Sequence, residues 1–153
     1  MRISIGCDHA AWELKQKVKE YLLTIKSVDL NDWGCYSDER CDYPDFAHAV
    51  AKDVQDGKCD FGILMCGSGN GINMTANKWS GVRSALCWNS KIANMARLHN
   101  DANILTLPGR YISEEEAFKC YLKAAGKEHK PSYIYLGKCY LKGRGIEKSL
   151  PKA

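Results

Sequence analysis

Apolar runs of strand length alternate with stretches of helical periodicity from Ile3 to about Ala125, and nothing else in the chain constrains its fold as strongly. Ile3 to Ile5, followed by Gly6, predicts a buried strand, after which Leu14, Val18, Tyr21, Leu22 and Ile25 recur at helical spacing. Val28 to Leu30 predicts a second strand. After a polar stretch rich in Asp and Ser, Pro44 opens a helix carrying Phe46, Ala47, Val50, Ala51 and Val54. Phe61 to Cys66 is the clearest buried strand. It runs into Gly67, Gly69 and Gly71, then a short helix near Met74 to Lys78 and a strand from Val82 to Leu86. A helix near Ser90 to Leu98, a strand at Ile104 to Leu107 and a helix from Glu114 to about Ala125 continue the pattern. Parallel strands need a crossover, so this alternation predicts a three-layer α/β fold, a parallel sheet with helices on both faces. Ligands in such sheets bind at the carboxyl ends of the strands. The two chemically loaded segments, Cys7-Asp8-His9 and Cys66 to Gly71, both fall directly after predicted strands.

The 153 residues suit one compact α/β domain, and 45% hydrophobic residues is ordinary for a chain with its own core. No run approaches the ~20 apolar residues that cross a bilayer, and the N-terminus lacks a secretory pattern, so a cytoplasmic protein without membrane contact is expected. Eight cysteines invite a disulfide reading, but such scaffolds are short, secreted and poor in regular apolar periodicity. No pair has CxxC spacing and the four histidines are scattered, so no metal site is expected and the thiols read as reduced, mostly buried groups. The net charge of +4 is uneven: residues 1–118 carry 13 Lys/Arg against 16 Asp/Glu, residues 119–153 carry 9 against 2. The tail lysines are spaced through an apolar helical pattern, which describes a solvated helix face and not a nucleic-acid surface.

Cys66-Gly67-Ser68-Gly69-Asn70-Gly71 sets three glycines at alternate positions between a strand and a helix, so that several backbone N–H groups can face one concavity and receive an anion. A dinucleotide fingerprint needs two residues between its second and third glycines, and here the third comes too soon, so no nicotinamide or flavin cofactor is expected. A plainer reading of the segment is a tight turn that needs glycine. Cys66 borders this nest, whose N–H dipoles are expected to lower the thiol pKa and favour a thiolate able to take a proton. Asp8-His9 offers a carboxylate and an imidazole at the same edge, or simply a cap and a surface histidine. His99-Asn100 follows a helix and Arg110 follows a strand, so an imidazole, an amide and a phosphate-binding guanidinium are expected to gather near the strand ends.

Together these segments resemble the ribose-5-phosphate isomerase B and galactose-6-phosphate isomerase family over about residues 1–118. The resemblance rests on Gly6-Cys7-Asp8-His9-Ala10, Asp42-Tyr43-Pro44, Cys66-Gly67-Ser68-Gly69 with Gly71, and Ala76-Asn77-Lys78. It continues through Gly81-Val82-Arg83, Ala85-Leu86-Cys87-Trp88 and His99-Asn100-Asp101-Ala102-Asn103 to Gly109-Arg110. It implies a Rossmann-like domain that forms a homodimer, an active site at the subunit interface, a sugar-phosphate substrate, and no metal or organic cofactor. The implied reaction opens a furanose and moves a proton between C2 and C1 through an enediolate. By motif, Cys66 would be the base, Ser68 with the N–H groups of Gly67, Gly69, Asn70 and Gly71 would hold the enediolate oxygens, and His99 with Asp8 would assist ring opening. His9, Tyr43 and Asn100 would contact the sugar, and Arg110 the phosphate.

Three departures from the family pattern stand out. Asn70 and Asn73 replace aliphatic or small residues, Thr75 is a minor change nearby, and the family's Gly-Gly-Arg-His segment with its later arginines is missing. Arg110, Arg144 or tail lysines would have to bind phosphate in their place. Glu116 to Ala153 instead resembles a SEL-type helical repeat, a relative of the tetratricopeptide repeat, through Ala117-Phe118, Tyr121 to Ala125, Leu136-Gly137, Tyr140, Gly143, Gly145-Ile146 and Lys152-Ala153. A division into an isomerase domain at 1–126 and a C-terminal helical extension at 127–153 follows, the extension offering a surface for a protein partner. Ribose 5-phosphate isomerisation is the leading expectation. A six-carbon or deoxy sugar phosphate, or a non-catalytic sugar-phosphate-binding scaffold, are the alternatives.

Overall fold

The computed structural model describes residues 1–124; the C-terminal extension at 127–153, most of the segment from Glu116 to Ala153 that resembles a SEL-type repeat, and the domain division at 126 lie outside them. β1 (Arg2–Cys7) leads through a 3-10 turn (His9–Ala11) into α1 (Trp12–Leu23) and β2 (Asp29–Asp32). Then come α2 (Tyr43–Gln55), β3 (Phe61–Cys66), α3 (Asn70–Ala76), β4 (Ser84–Leu86), α4 (Ser90–Asn100), β5 (Ile104–Pro108) and α5 (Glu114–Ala124). All five strands are parallel, in the order β2-β1-β3-β5-β4.

Strand alternation builds two cores, one on each face. Ile3, Ile5 and Cys7 of β1, Ile63 and Met65 of β3 and Leu105 and Leu107 of β5 face α1, α4 and α5, where Leu14, Val18, Leu22, Ala93, Ala96, Ala117 and Cys120 meet them. Leu64 and Cys66 of β3 with Ile104 of β5 face α2 and α3, against Ala47, Val50, Ala51, Ile72 and Ala76. The three-layer α/β architecture expected from the sequence is therefore the fold. No helix of the described residues is long and apolar enough to cross a membrane.

Several boundaries move. The second strand shifts from the apolar Val28–Leu30 to the polar Asp29–Asp32, because Arg2, Ile3, Ser4 and Ile5 of β1 hold Asp29 to Asp32 in parallel register. Such edge residues have one strand neighbour and need no apolar pattern. The fourth strand shortens to Ser84–Leu86, since Val82 belongs to a turn in which its N–H donates to the Trp79 carbonyl (3.2 Å) and Gly81 has a positive φ. Polar groups also sit in the interior with partners. The Asp53 carboxylate of α2 accepts from Ser4 Oγ (2.8 Å), Asn31 Nδ2 (3.0 Å) and Trp33 Nε1 (2.7 Å), which ties α2 to β1 and β2.

Candidate active site

The chain leaves β1 toward β2 on one side and returns to place β3 on the other, so the crevice between the carboxyl ends of β1 and β3 is the topological switch point of the sheet. Cys7 ends β1 and Cys66 ends β3, and Asp8 and the turn from Gly67 to Gly71 face each other across this crevice. The sheet's pairing continues past its strands here. Asp8 N donates to the Met65 carbonyl (3.2 Å), Gly109 N to that of Cys66 (2.8 Å) and Arg110 N to that of Gly67 (3.0 Å). The loops after β1, β3 and β5 are thereby locked together, and the Arg110 side chain lies along Gly67, with Nε 3.7 Å from the point where a Cβ would stand.

The glycines after Cys66 have different causes. Gly69 caps α3 in the left-handed region at φ 76°, and a Cβ there would lie 2.4 Å from Leu86 Cδ1 and 3.2 Å from Pro108 N. Only glycine meets both conditions. At Gly71 a Cβ would lie 2.5 Å from Tyr43 Cζ and 2.9 Å from its hydroxyl oxygen, so the phenol at the start of α2 rests directly on the turn. The amides this turn frees face the sulfur. Gly69 N donates to Cys66 Sγ (3.2 Å), and the N–H groups of Ile72 and Ser68 also favour its ionised form. Ser68 is exposed and its Oγ accepts from Asn70 N (3.3 Å), while Asn70 points to solvent.

The expected lowering of the thiol pKa is corrected in sign. Burial, at 4% exposure, is the largest influence on Cys66 and pushes its pKa up, the amides of Ile72, Gly69 and Ser68 oppose it, and the Asp8 carboxylate adds to the rise. The sum is a thiol above its ordinary value. Asp8 is 8% exposed and is itself pushed up by burial, against the pull of His9 and of the N–H groups of Ala10, Gly67 and Ala11. It accepts from Ala10 N (3.0 Å) and so caps the 3-10 turn, as the plainer reading had it, while facing the sulfur. His9 Nδ1 lies 2.9 Å from the Cys41 carbonyl oxygen, which fixes the ring plane. A polar cleft of about 430 Å³ opens beside these groups, lined among others by His9, Ala10, Glu13, Lys17, Gly109 and Arg110.

The structure thus brings Cys66, Asp8, His9, Tyr43, Ser68, Gly67, Gly69, Asn70, Gly71 and Arg110 to one edge of the sheet. His99 and Asn100 are elsewhere. α4 runs antiparallel to the strands, so its last residues lie at the amino edge, where Arg97 stacks over Phe61 at the start of β3 (5.2 Å). β5 separates His99 from Arg110 by five residues, about 16 Å at 3.3 Å per residue. The expectation that imidazole, amide and guanidinium gather at the same strand ends therefore fails within one chain, because a residue before a strand and one after it lie at opposite edges. Sequence reasoning also passed over Cys41, whose carbonyl positions His9, and Lys17, which enters the cleft paired to Glu114 at 2.9 Å. Neither belongs to a local motif, so neither carries a sequence signal.

A doubly wound sheet with a buried thiol inside converging amides at its switch point, beside an arginine-bearing cleft, defines an enzyme acting on a small anionic molecule. The Ribose/Galactose Isomerase family model matches residues 3–129. Ribose-5-phosphate isomerase B of Escherichia coli is 40% identical over 116 residues, covering 76% of this chain and 77% of that protein. The solved ribose-5-phosphate isomerase B of Clostridium thermocellum superposes with a TM-score of 0.80 at 39% identity, covering 90% of this chain and 94% of the other. That of Mycoplasma genitalium, solved with bound ribulose-5-phosphate, gives 0.77 at 38% identity, covering 90% and 92%. The chain belongs to the Ribose/Galactose Isomerase family.

Proposed function

We propose that the protein interconverts ribose 5-phosphate and ribulose 5-phosphate, with Cys66 moving the proton between C2 and C1. The observation that carries this reading is the convergence of the Ser68, Gly69 and Ile72 amides on Cys66 Sγ at the switch-point crevice. A carbon acid next to a carbonyl loses its proton only if a base reaches it and fixed donors meet the charge that develops on oxygen. The Cys66 thiolate takes the C2 proton of the open-chain aldose and returns it to C1 of the enediolate while the hydroxyl proton of O2 passes to O1, so the thiolate is regenerated and no electrons leave the substrate. Ser68 and the amides through Gly71 receive the enediolate oxygens, and donors of this kind are typically worth about 3–4 kcal/mol each. Asp8, whose raised pKa lets it hold a proton closer to neutrality than an exposed aspartate, serves ring opening together with His99. Arg110 holds the phosphate, and His9, Tyr43 and Asn100 the sugar.

The raised thiol fixes the sign of a pH dependence. Below its pKa the thiolate fraction of the free enzyme grows about tenfold per pH unit, so kcat/KM should climb through neutrality and level off only above the ordinary thiol range. A pH–rate profile already flat at pH 7 would show a thiol of the opposite kind. Turnover compared across ribose 5-phosphate and six-carbon and deoxy aldose phosphates tests the substrate. Faster turnover of a six-carbon sugar would move the assignment, and no turnover of any would leave a binding protein.

His99 and Asn100 reach a Cys66 only if a second copy of the chain supplies them, which is why the reading includes a homodimer with its sites between subunits. Trp88, Met95 and Leu98, exposed by 54%, 43% and 58%, give α4 and its entry an apolar surface for that contact. Mixing inactive Cys66→Ala with inactive His99→Ala should therefore restore activity, to about a quarter of wild type if subunits exchange randomly, because half the dimers then hold one intact site. Absence of restoration in a mixture shown to exchange subunits would place His99 outside the site.

A further inference from the structure

The loop from Trp33 to Asp42, between β2 and α2, contains a thiol pair that the isomerase reading does not use. Cys41 Sγ points at Cys35 Sγ from 2.7 Å, and no other two thiols among the described residues make such a contact. The two cysteines are anchored to different parts of the molecule. Cys35, 6% exposed, is held to the sheet, its N–H donating to the Cys7 carbonyl (2.8 Å) while Cys7 N donates to that of Gly34 (2.8 Å). Cys41 is half-buried and its backbone faces His9, whose Nδ1 lies 2.9 Å from the Cys41 carbonyl oxygen. The sulfurs, 2.7 Å apart, are within an ångström of the disulfide bond length.

We propose that Cys35 and Cys41 are a modification site, a dithiol that closes to a disulfide by exchange with a small-molecule disulfide and thereby shifts His9 in the sugar site. The more accessible Cys41 attacks the reagent as thiolate, forming a mixed disulfide and expelling one reagent thiolate, which takes up the proton lost from Cys41. Cys35 then attacks Cys41 Sγ and expels the second thiolate, which takes the other proton. Two protein thiols are oxidised by two electrons, and one reagent disulfide is reduced to two thiols. Burial and the neighbouring Cys35 thiol hold the Cys41 proton up to about 12, so closure should quicken as pH rises. Closure draws Cys41 toward Cys35 and ends the bond from Cys35 Sγ to the Ser37 carbonyl (3.0 Å), and the carbonyl that holds His9 moves with it.

The disulfide itself is independent of the isomerase reading; only its effect on sugar binding rests on that reading. Intact protein treated with oxidised glutathione, blocked with iodoacetamide and cut with trypsin tests the first part. Cleavage after Arg40 separates the two cysteines, so the bond should appear as residues 27–40 joined to residues 41–52, and dithiothreitol should abolish it. Alkylation of both cysteines, or joining of either to a different cysteine, overturns the proposal. For the second part, the ring resonances of His9 should shift on closure. The KM for ribose 5-phosphate should rise about threefold or more, with a smaller change in kcat, reversibly. The Cys41→Ser variant, which keeps the backbone contact to His9, should resist both changes. Equal loss of activity in oxidised Cys41→Ser would trace the effect to another thiol, and a formed disulfide with unmoved His9 resonances would overturn the control while leaving the isomerase reading intact.

Discussion

Replacing Cys66 by alanine should lower ribose 5-phosphate turnover by roughly 100- to 10,000-fold, the span that a positioned proton-transferring group contributes. The change removes one sulfur from the face packed by α2 and α3, and Leu64, Ile72 and Ala76 still close that face. Stability should therefore fall by about 1 kcal/mol from the truncation itself, as for a small core truncation. The Gly69 N–H also loses a buried acceptor, which adds about 1–3 kcal/mol to that loss. Ligand binding should persist, because Arg110 and Tyr43 are held by the β5 loop and by α2 and not by the sulfur. Steady-state kinetics with a urea titration of the same variant separate the two effects. Turnover within tenfold of wild type would remove Cys66 from the proton path, and a collapse of stability would make it a packing residue.

A second large effect is expected where α1 packs on the end of β2. Lys15 of α1 is fully buried, its Nζ bonded to Asp32 Oδ1 (2.7 Å) beneath the Tyr36 ring, and Lys19 Nζ reaches Asp32 Oδ2 (2.7 Å). Asp32→Ala leaves a desolvated ammonium without its counter-charge and should destabilise the fold by about 3–5 kcal/mol. Adding Lys15→Met should restore most of that loss, since an apolar group of similar length replaces a buried pair at little net change. Burial alone would raise the Asp32 pKa, but bonds from Lys15, Lys19 and Gly34 N outweigh it and hold the carboxyl below its ordinary value. Because the folded pKa is depressed, the contribution is complete above the unfolded carboxylate value of about 3.9 and is lost as pH falls through the folded one. Urea midpoints of the single and double variants between pH 7 and pH 3 test this. A single variant within 1 kcal/mol of wild type, or a double variant no better than the single, would contradict it.

Much of this molecule could be read in advance because its strands are buried on both sides. Phe61 to Cys66 is a continuous apolar run and Ile104 to Leu107 is broken only by Thr106, and the turn after each must carry the glycines and polar groups that an apolar strand cannot. The order of the strands was not legible, and with it went the placing of His99, since local pattern says which residues end an element but not which edge of the sheet that end reaches. Lys15 was hidden for a similar reason. A lysine at helical spacing looks solvated until β2 places Asp32 above it. The sign of the Cys66 pKa shift is not legible in the sequence, because the amides are encoded within a few residues of the sulfur whereas its burial comes from α2 and α3. The closeness of Cys35 and Cys41 depends on the path of a loop with no periodicity at all.

Proton movement at C2 is the event on which the functional account turns, and it can be watched apart from net turnover. Ribose 5-phosphate incubated in deuterium oxide with the intact protein, and followed by proton NMR at C2, should lose that signal as solvent deuterium enters. The Cys66→Ala protein should leave the signal unchanged over the same interval. Exchange at C2 that survives the loss of the Cys66 sulfur would assign the proton to another group and contradict the account.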